Sequence, residues 1–154
     1  MGTIDKRLAE LGITLPEAAK PIANYVPWVR TGNLVFISGQ GPIENGKVAY
    51  PGCLGQDVSL EDGAKSARLC AINVLAQLKD ACGGDLDRVK RVVKLLGFVN
   101  ATPDFKDHPK VINGASDLMV EVFGDKGRHA RSAVASPSLP MGISTEVEAI
   151  IEVE

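Results

Sequence analysis

The chain has 154 residues, of which 45 % are hydrophobic and 23 % are charged, and its formal net charge is −2. This length and balance predict one folded domain with a sizeable core. The slightly acidic charge argues against a dedicated nucleic-acid-binding protein, because such proteins carry a basic excess. No stretch approaches the roughly 18 apolar residues of a membrane span, and the N-terminus lacks the apolar core of a secretory signal. We therefore expect a cytoplasmic protein.

The cysteines and histidines do not form a recognisable site. Cys53, Cys70 and Cys82 include no Cys-x-x-Cys pair, which argues against a zinc site or a thioredoxin-type motif. Free thiols in a reducing compartment are the expected state. The two histidines, His108 and His129, stand far apart and are expected to be surface or capping residues. We therefore expect no metal ion and no cofactor.

The first part of the chain predicts a short helix followed by strands. Residues 3–11 have a helical pattern that Gly12 would end. Two strands are predicted within residues 25–40, joined at residues 31–33 (Thr-Gly-Asn). The dipeptide at 45–46 (Asn-Gly) indicates a further hairpin.

The second part alternates helices with strands. The strongest helix signal runs from Val58 to Cys82, with Ser59 as its N-cap. An apolar strand follows within residues 87–100, and a second helix is expected to start at Pro109. Two closing strands are predicted, at residues 131–136 and 144–153. The order β-β-β-α-β-α-β-β indicates an α+β fold, with two helices on one face of a mixed sheet.

The other face of this sheet is expected to be partly apolar and uncovered. Leu34 and Phe36 alternate with Val35 and Ile37, so one pair points away from the helices. A large exposed apolar patch is rare on a monomer. This pattern favours closed oligomerisation through the open face.

An arginine and two carboxylates stand on the last two strands. Arg131 heads a strand of small residues, and Glu146 and Glu148 alternate with apolar residues on the next strand. A buried arginine is costly unless it is paired. Its partner could be Glu146 or Glu148 on a neighbouring strand, or it could be the carboxylate of a ligand.

Four segments, in order, resemble the RidA family, which is also called YjgF or L-PSP. They are ANYVPWVRTGNLVFISGQGPI, the helix end ACGGDLDRVKRVVKLLGFV, DFKDHPKVINGASDLMVEVFG, and ARSAVASPSLPMGISTEVEAI. The resemblance covers roughly residues 21–153 and is to a divergent branch with an extended N-terminus. It implies an extension with a short helix at residues 1–20 and a RidA-like domain at residues 21–154. It also implies a chorismate-mutase-like fold and a homotrimeric barrel of sheets with clefts between subunits.

The resemblance implies a site as well. The family's best-defined activity is hydrolysis of 2-imino acids to 2-keto acids and ammonia. Arg131 matches the arginine that grips the substrate carboxylate, and Glu146 matches the carboxylate linked to the attacking water. Many members have cysteine where this chain has Ala133. The expected substrate contacts are Tyr25, Gly39, Asn113 and Ala133.

Two other functions stay open. A non-catalytic protein could use Arg131 to bind a metabolite carboxylate without turnover. A ribonuclease is implied by the L-PSP label, although the acidic charge weighs against it. Hydrolysis of an imino acid and non-catalytic binding of a metabolite would both use the planar guanidinium of Arg131, which can hold a carboxylate bidentately. The expected partners are a small imino or keto acid and two further copies of the chain, with no nucleic acid and no membrane.

Overall fold

The fold is a mixed five-stranded sheet with two long helices packed on one face. The computed structural model describes residues 2–20 and 23–154. Within these residues the helices are α1 (Thr3–Glu10), α2 (Leu60–Ala81) and α3 (His108–Phe123). The strands are β1 (Trp28–Thr31), β2 (Leu34–Gln40), β3 (Ile43–Glu44), β4 (Lys47–Val48), β5 (Val89–Asn100), β6 (Ala130–Ser136) and β7 (Thr145–Val153). The predicted α+β class is confirmed.

The strand order places β6 at one edge of the sheet and β1 at the other. The order is β1-β2-β7-β5-β6, and β3 and β4 form a separate two-stranded hairpin. β5 and β6 run parallel, while the other neighbours in the large sheet are antiparallel. Because parallel strands need a crossover, α3 makes the connection from β5 to β6. The site residues on β6 and on the central strand β7 are therefore separated by β5.

The core lies between the sheet and the helices α2 and α3. Along β7, Val147, Ala149 and Ile151 are buried and alternate with partly exposed residues. The predicted apolar stripe of α2 packs against this face and is fully buried at Ala67, Ala71, Val74, Leu75 and Leu78. The predicted cap of α2 is also confirmed, because Ser59 Oγ accepts a hydrogen bond of 3.1 Å from the Asp62 amide.

Several predicted boundaries differ from the structure. Four strands precede α2 where three were predicted, because the hairpin predicted at Asn45-Gly46 forms from two short strands of its own, β3 and β4. Asn45 and Gly46 form its turn with φ of 54° and 77°, the pair of positive values that a tight hairpin turn requires. The helix predicted from Val58 begins at Leu60, and α3 begins at His108, one residue before the predicted start.

The N-terminal helix α1 is fixed to α3 and to the turn that follows α2. The Asp87 carboxylate accepts hydrogen bonds of 2.9 Å from the amides of Thr3 and Ile4, which satisfies two free donors at the start of α1. Arg7 Nε donates to the Glu121 carbonyl of α3 at 2.7 Å. Leu8 is buried and belongs to the common core.

The sheet face that points away from α2 and α3 is partly apolar, as predicted. We call it the open face; its apolar members are Val29, Phe36, Leu96, Phe98, Val134 and Ile150. Phe36 is 40 % exposed and Val134 is 44 % exposed. No helix within residues 2–20 and 23–154 covers this face, and none of those helices is long and apolar enough to cross a membrane.

Candidate functional site

Arg131 lies on the helix side of the sheet and is held by α3. It pairs in register with Leu95 on β5, which in turn pairs with Ala149 on β7, and both of these are buried under the helices. Residues that are paired across neighbouring strands share a face, so the Arg131 side chain points toward α3. Its Nη1 atom donates to Asn113 Oδ1 at 2.8 Å and to Ser116 Oγ at 3.2 Å.

Both of these partners are neutral. Among residues 2–20 and 23–154, no carboxylate forms an ion pair with Arg131. The guanidinium opens into a hollow of about 300 Å³ that also contains Asp117, Arg128 and His129. The hydrogen bonds therefore orient the Arg131 charge without neutralising it.

Glu146 and Glu148 lie on the open face, opposite to Arg131. Glu146 pairs in register with Phe98, and Glu148 pairs with Leu96, both of which point away from the helices. Arg131 and Glu146 of one chain therefore cannot meet through the sheet. The structure contradicts the alternative in which Arg131 pairs with Glu146 or Glu148 within one chain.

The environment of Glu146 favours its protonated form. Burial raises the pKa of the Glu146 carboxyl above its usual value, and the negative charge of Glu148 two residues further along β7 raises it again. Burial and a nearby like charge both disfavour the ionised form of an acid. A carboxylate with a raised pKa is a stronger base, so Glu146 is suited to moving a proton to or from a bound water.

Gly39 is brought directly beside Glu146 by a bulge in the β2–β7 pair. Ile37 pairs with Ala149 and Gln40 with Val147, so one extra residue of β2 is inserted between these pairs. A Cβ built on Gly39 would lie 2.8 Å from the Glu146 Cδ atom. Bulges of this kind re-aim strands next to functional sites. The structure therefore brings together two of the residues that the sequence singles out, Gly39 and Glu146.

Tyr25 lies far from Arg131 within one chain. It precedes β1, at the sheet edge opposite to β6, and its side chain is 59 % exposed. Four strand spacings separate these edges, which corresponds to about 19 Å. The remaining predicted contacts lie with Arg131, because Asn113 binds its guanidinium and Ala133 follows it on the same face of β6. On each chain Asn113 and Ala133 thus lie with Arg131, Gly39 lies with Glu146, and Tyr25 lies away from Arg131.

Two further hollows lie beside the sheet, and Ala133 is the predicted site residue that lines one of them. On the open face a hollow of about 400 Å³ is bounded by Phe36, Lys94 and Glu148, among other residues. Beside the β6 edge, a hollow of about 510 Å³ contains Ala133, Phe105 and His108. Within residues 2–20 and 23–154, no group of three His, Cys, Asp or Glu side chains is arranged to hold a metal ion.

Two further side chains lie beside Arg131: Ser116, which the sequence did not single out, and His129, which was expected to be a surface or capping residue. His129 Nδ1 lies 2.6 Å from the Gly127 carbonyl oxygen, and its Nε2 lies 2.9 Å from Ser116 Oγ. The spacing carried a signal for Ser116, which follows Asn113 by three residues on a predicted helix, so they share a helix face. His129 lies outside the strand predicted at residues 131–136 and just before β6 in the structure, so the strand pattern carried no signal for it.

The chain belongs to the YjgF/RidA family. The family model described as "YjgF/chorismate_mutase-like, putative endoribonuclease" matches residues 5–152. Protein TCP17 of Trypanosoma cruzi is 47 % identical to this chain over 152 residues, which cover 98 % of this chain and 94 % of that protein.

Solved structures share the fold. The crystal structure of Atu1372, a protein of unknown function from Agrobacterium tumefaciens, is 50 % identical, with a TM-score of 0.93 and coverage of 98 % of this chain and 92 % of that chain. The crystal structure of E. coli TdcF with bound serine is 26 % identical, with a TM-score of 0.64 and coverage of 90 % and 94 %.

Proposed function

We propose that the protein hydrolyses reactive 2-imino acids, or their enamine tautomers, to 2-keto acids and ammonia. The observation that carries this proposal is that the Arg131 guanidinium is held in place but not neutralised. It is oriented through one nitrogen by two neutral acceptors and has no carboxylate partner among the described residues. A guanidinium that is fixed in place but not neutralised is suited to a planar carboxylate from outside the chain. Every 2-imino acid presents such a group.

The reaction needs little more than a positioned water. The imine carbon is electrophilic, so water adds to the C=N bond and forms a carbinolamine. The Glu146 carboxylate would take a proton from this water and return one to the nitrogen, which then leaves as ammonia. The raised pKa of Glu146 favours the first of these transfers. Arg131 would hold the carboxylate of the substrate, and Glu146 would hold the water. The attack of water would then be an effectively unimolecular step between reactants that are already in position.

The site would form between subunits. Arg131 and Glu146 lie on opposite faces of one sheet, and Arg131 is on the edge strand β6. A neighbouring chain that covers the open face could bring its own Arg131 toward Glu146. The partly apolar open face supports such an assembly, since its burial would stabilise a closed oligomer. We expect a homotrimer, with a mass by light scattering of about three times 16.3 kDa at micromolar concentration. A monomer at that concentration would contradict the intersubunit cleft.

Ammonia release from freshly generated imino acids tests the activity. The wild-type protein should accelerate release, and Arg131→Ala should reduce the acceleration by about 10²-fold or more. Lys110→Gln is the matched control, because it removes one exposed positive charge of α3, which forms a surface ion pair with Asp107. Equal loss in both variants would show that general charge, and not the Arg131 fork, accounts for the effect.

A non-catalytic carboxylate sensor is the second candidate. The bound serine in the TdcF structure favours it, because serine is a small carboxylate metabolite. Binding of pyruvate that depends on Arg131, without any ammonia release from imino acids, would establish this alternative. A ribonuclease would instead show salt-sensitive RNA binding, which the net charge of −2 does not favour.

A further inference from the structure

We infer that Ser116 and His129 are positioning residues for Arg131, and that they leave only the Nε–Nη2 edge of its guanidinium to receive a carboxylate. This inference rests on the proposed function, because it describes how the same arginine binds its ligand. It adds two residues to the site and fixes the orientation of the bound carboxylate.

The Gly127 carbonyl group sets the directions of the hydrogen bonds that join His129, Ser116 and Arg131. The Gly127 carbonyl can only accept, so the His129 Nδ1 atom that lies 2.6 Å from it carries the proton. In a neutral imidazole the other nitrogen is then an acceptor. The Ser116 hydroxyl must therefore donate to His129 Nε2, at 2.9 Å. Its oxygen is left as the acceptor for Arg131 Nη1, at 3.2 Å.

Asn113 completes the fixation of Nη1. An arginine side chain has five N–H donors, two on each terminal nitrogen and one on Nε. Asn113 Oδ1 and Ser116 Oγ together occupy the Nη1 donors. A carboxylate that contacts the two terminal nitrogens would need one free hydrogen on Nη1 and one on Nη2. Both Nη1 hydrogens are already donated to Asn113 and Ser116. The parallel donors on Nε and Nη2 remain, and they match the two oxygens of a carboxylate.

Regular structure holds three of these four side chains, and His129 stands directly before β6. Asn113 and Ser116 are three residues apart on one face of α3. His129 and Arg131 are two residues apart, at and just before the start of β6. Gly127 must be a glycine here, because an added Cβ would lie 2.6 Å from the Met119 carbonyl carbon of α3. The carbonyl that orients His129 is therefore itself held tightly against the helix.

Two substitutions of His129 separate positioning from simple packing. In His129→Gln the amide oxygen can reach the Nε2 position and accept from Ser116. In His129→Asn the shorter side chain reaches only the Nδ1 position, so the contact with Gly127 can persist while Ser116 loses its acceptor. A residue that matters only for packing would tolerate or fail both changes alike.

Calorimetric titration of pyruvate into the full-length protein is the test. We expect Ser116→Ala and His129→Asn each to weaken binding about tenfold, the effect of one lost charge-assisted hydrogen bond. His129→Gln should stay within about threefold of wild type, and Arg131→Ala should abolish measurable binding. Imidazole ¹⁵N resonances should also show the proton of His129 on Nδ1 in wild type, with a changed Nε2 resonance in Ser116→Ala.

The outcomes separate this inference from the function on which it rests. If Arg131→Ala binds pyruvate as well as wild type, the proposed function fails and this inference fails with it. If Arg131→Ala loses binding but Ser116→Ala and His129→Asn retain it, the carboxylate-binding role of Arg131 on which the proposed function depends is retained, and the positioning role is refuted. Equal losses in His129→Asn and His129→Gln would also refute it, because the Nε2 acceptor would then be irrelevant.

Discussion

Gly39 on β2 lies against the carboxyl group of Glu146 on β7, with no room between them for a side chain. A Cβ at position 39 would come within 2.8 Å of the Glu146 Cδ atom. The backbone of Gly39 is not in the left-handed region, so alanine would be accepted there on conformational grounds. The requirement for glycine arises from the close approach to Glu146. Its substitution therefore offers a way to displace this carboxylate without removing it.

Gly39→Ala should reduce imino acid turnover about 10²-fold, because a shift of about 1 Å in a reacting group is enough for such a loss. The thermal unfolding midpoint should change little. Gly41→Ala is the matched control, since the nearest atom to its Cβ would be the end of the Ile143 side chain, at 3.3 Å. Steady-state ammonia release compares the two variants. Equal activity in both would show that the position of Glu146 does not matter.

The pH dependence of turnover should report Glu146. If Glu146 acts as a base, activity falls as the pH drops through its pKa, which burial and the charge of Glu148 raise. Removing the Glu148 charge lowers that pKa, so Glu148→Gln should move the acidic limb of the kcat/KM profile to lower pH. Glu152→Gln lies further along the same strand face and should leave the limb in place. An unmoved limb in Glu148→Gln would contradict this assignment.

Glu146→Gln should separate stability from activity. A raised pKa means that the folded state binds the proton more tightly than the unfolded state. The Glu146 carboxyl therefore stabilises the folded state when the pH is below the pKa that it has in the unfolded state. This contribution is lost as the pH rises through its raised pKa in the folded state. At neutral pH the glutamine variant should therefore be at least as stable as wild type to urea, while its turnover falls by about 10²-fold or more. A clear loss of stability at pH 7 would indicate a structural role for the charge.

Gly114 allows α3, the helix that carries Asn113 and Ser116, to pack closely against α2. A Cβ on Gly114 of α3 would lie 2.9 Å from the Ala64 carbonyl carbon of α2, and this main-chain atom cannot move without the helix. We expect Gly114→Ala to lower the free energy of unfolding by about 1–3 kcal/mol. Exposed Lys110 on the same helix provides the control, because Lys110→Ala should change stability by less than about 0.5 kcal/mol. Urea unfolding would measure both, and similar values would contradict the tight helix contact.

Local features of the fold were predictable from the sequence because they depend on neighbouring residues. The Ser59 cap and the alternation of Val35 and Ile37 with Leu34 and Phe36 follow from local chemistry and from the two-residue period of strands. The hairpin turn at Asn45-Gly46 was predictable for the same reason, but the shortness of its strands was not. Whether a short segment pairs as a strand depends on what packs against it.

The relation between Arg131 and Glu146 was not predictable from alternation alone. Alternation gives two sets of side chains on each strand, whereas the register of pairing decides which sets share a face. In the structure Arg131 pairs with Leu95, and Glu146 pairs with Phe98. The family resemblance named both residues as one site. The fold shows that one chain holds them on opposite faces of its sheet.

Mixed oligomers provide the most direct measurement of a site shared between subunits. Arg131→Ala and Glu146→Gln should each lose about 10²-fold or more of the accelerated ammonia release when assayed alone. After the two are unfolded together and refolded as an equal mixture, about a quarter of the intersubunit sites in a random trimer should combine an intact Arg131 with an intact Glu146. The mixture should therefore recover about a quarter of the wild-type rate. If the refolded mixture stays as inactive as the separate variants, the two residues do not act together across subunits.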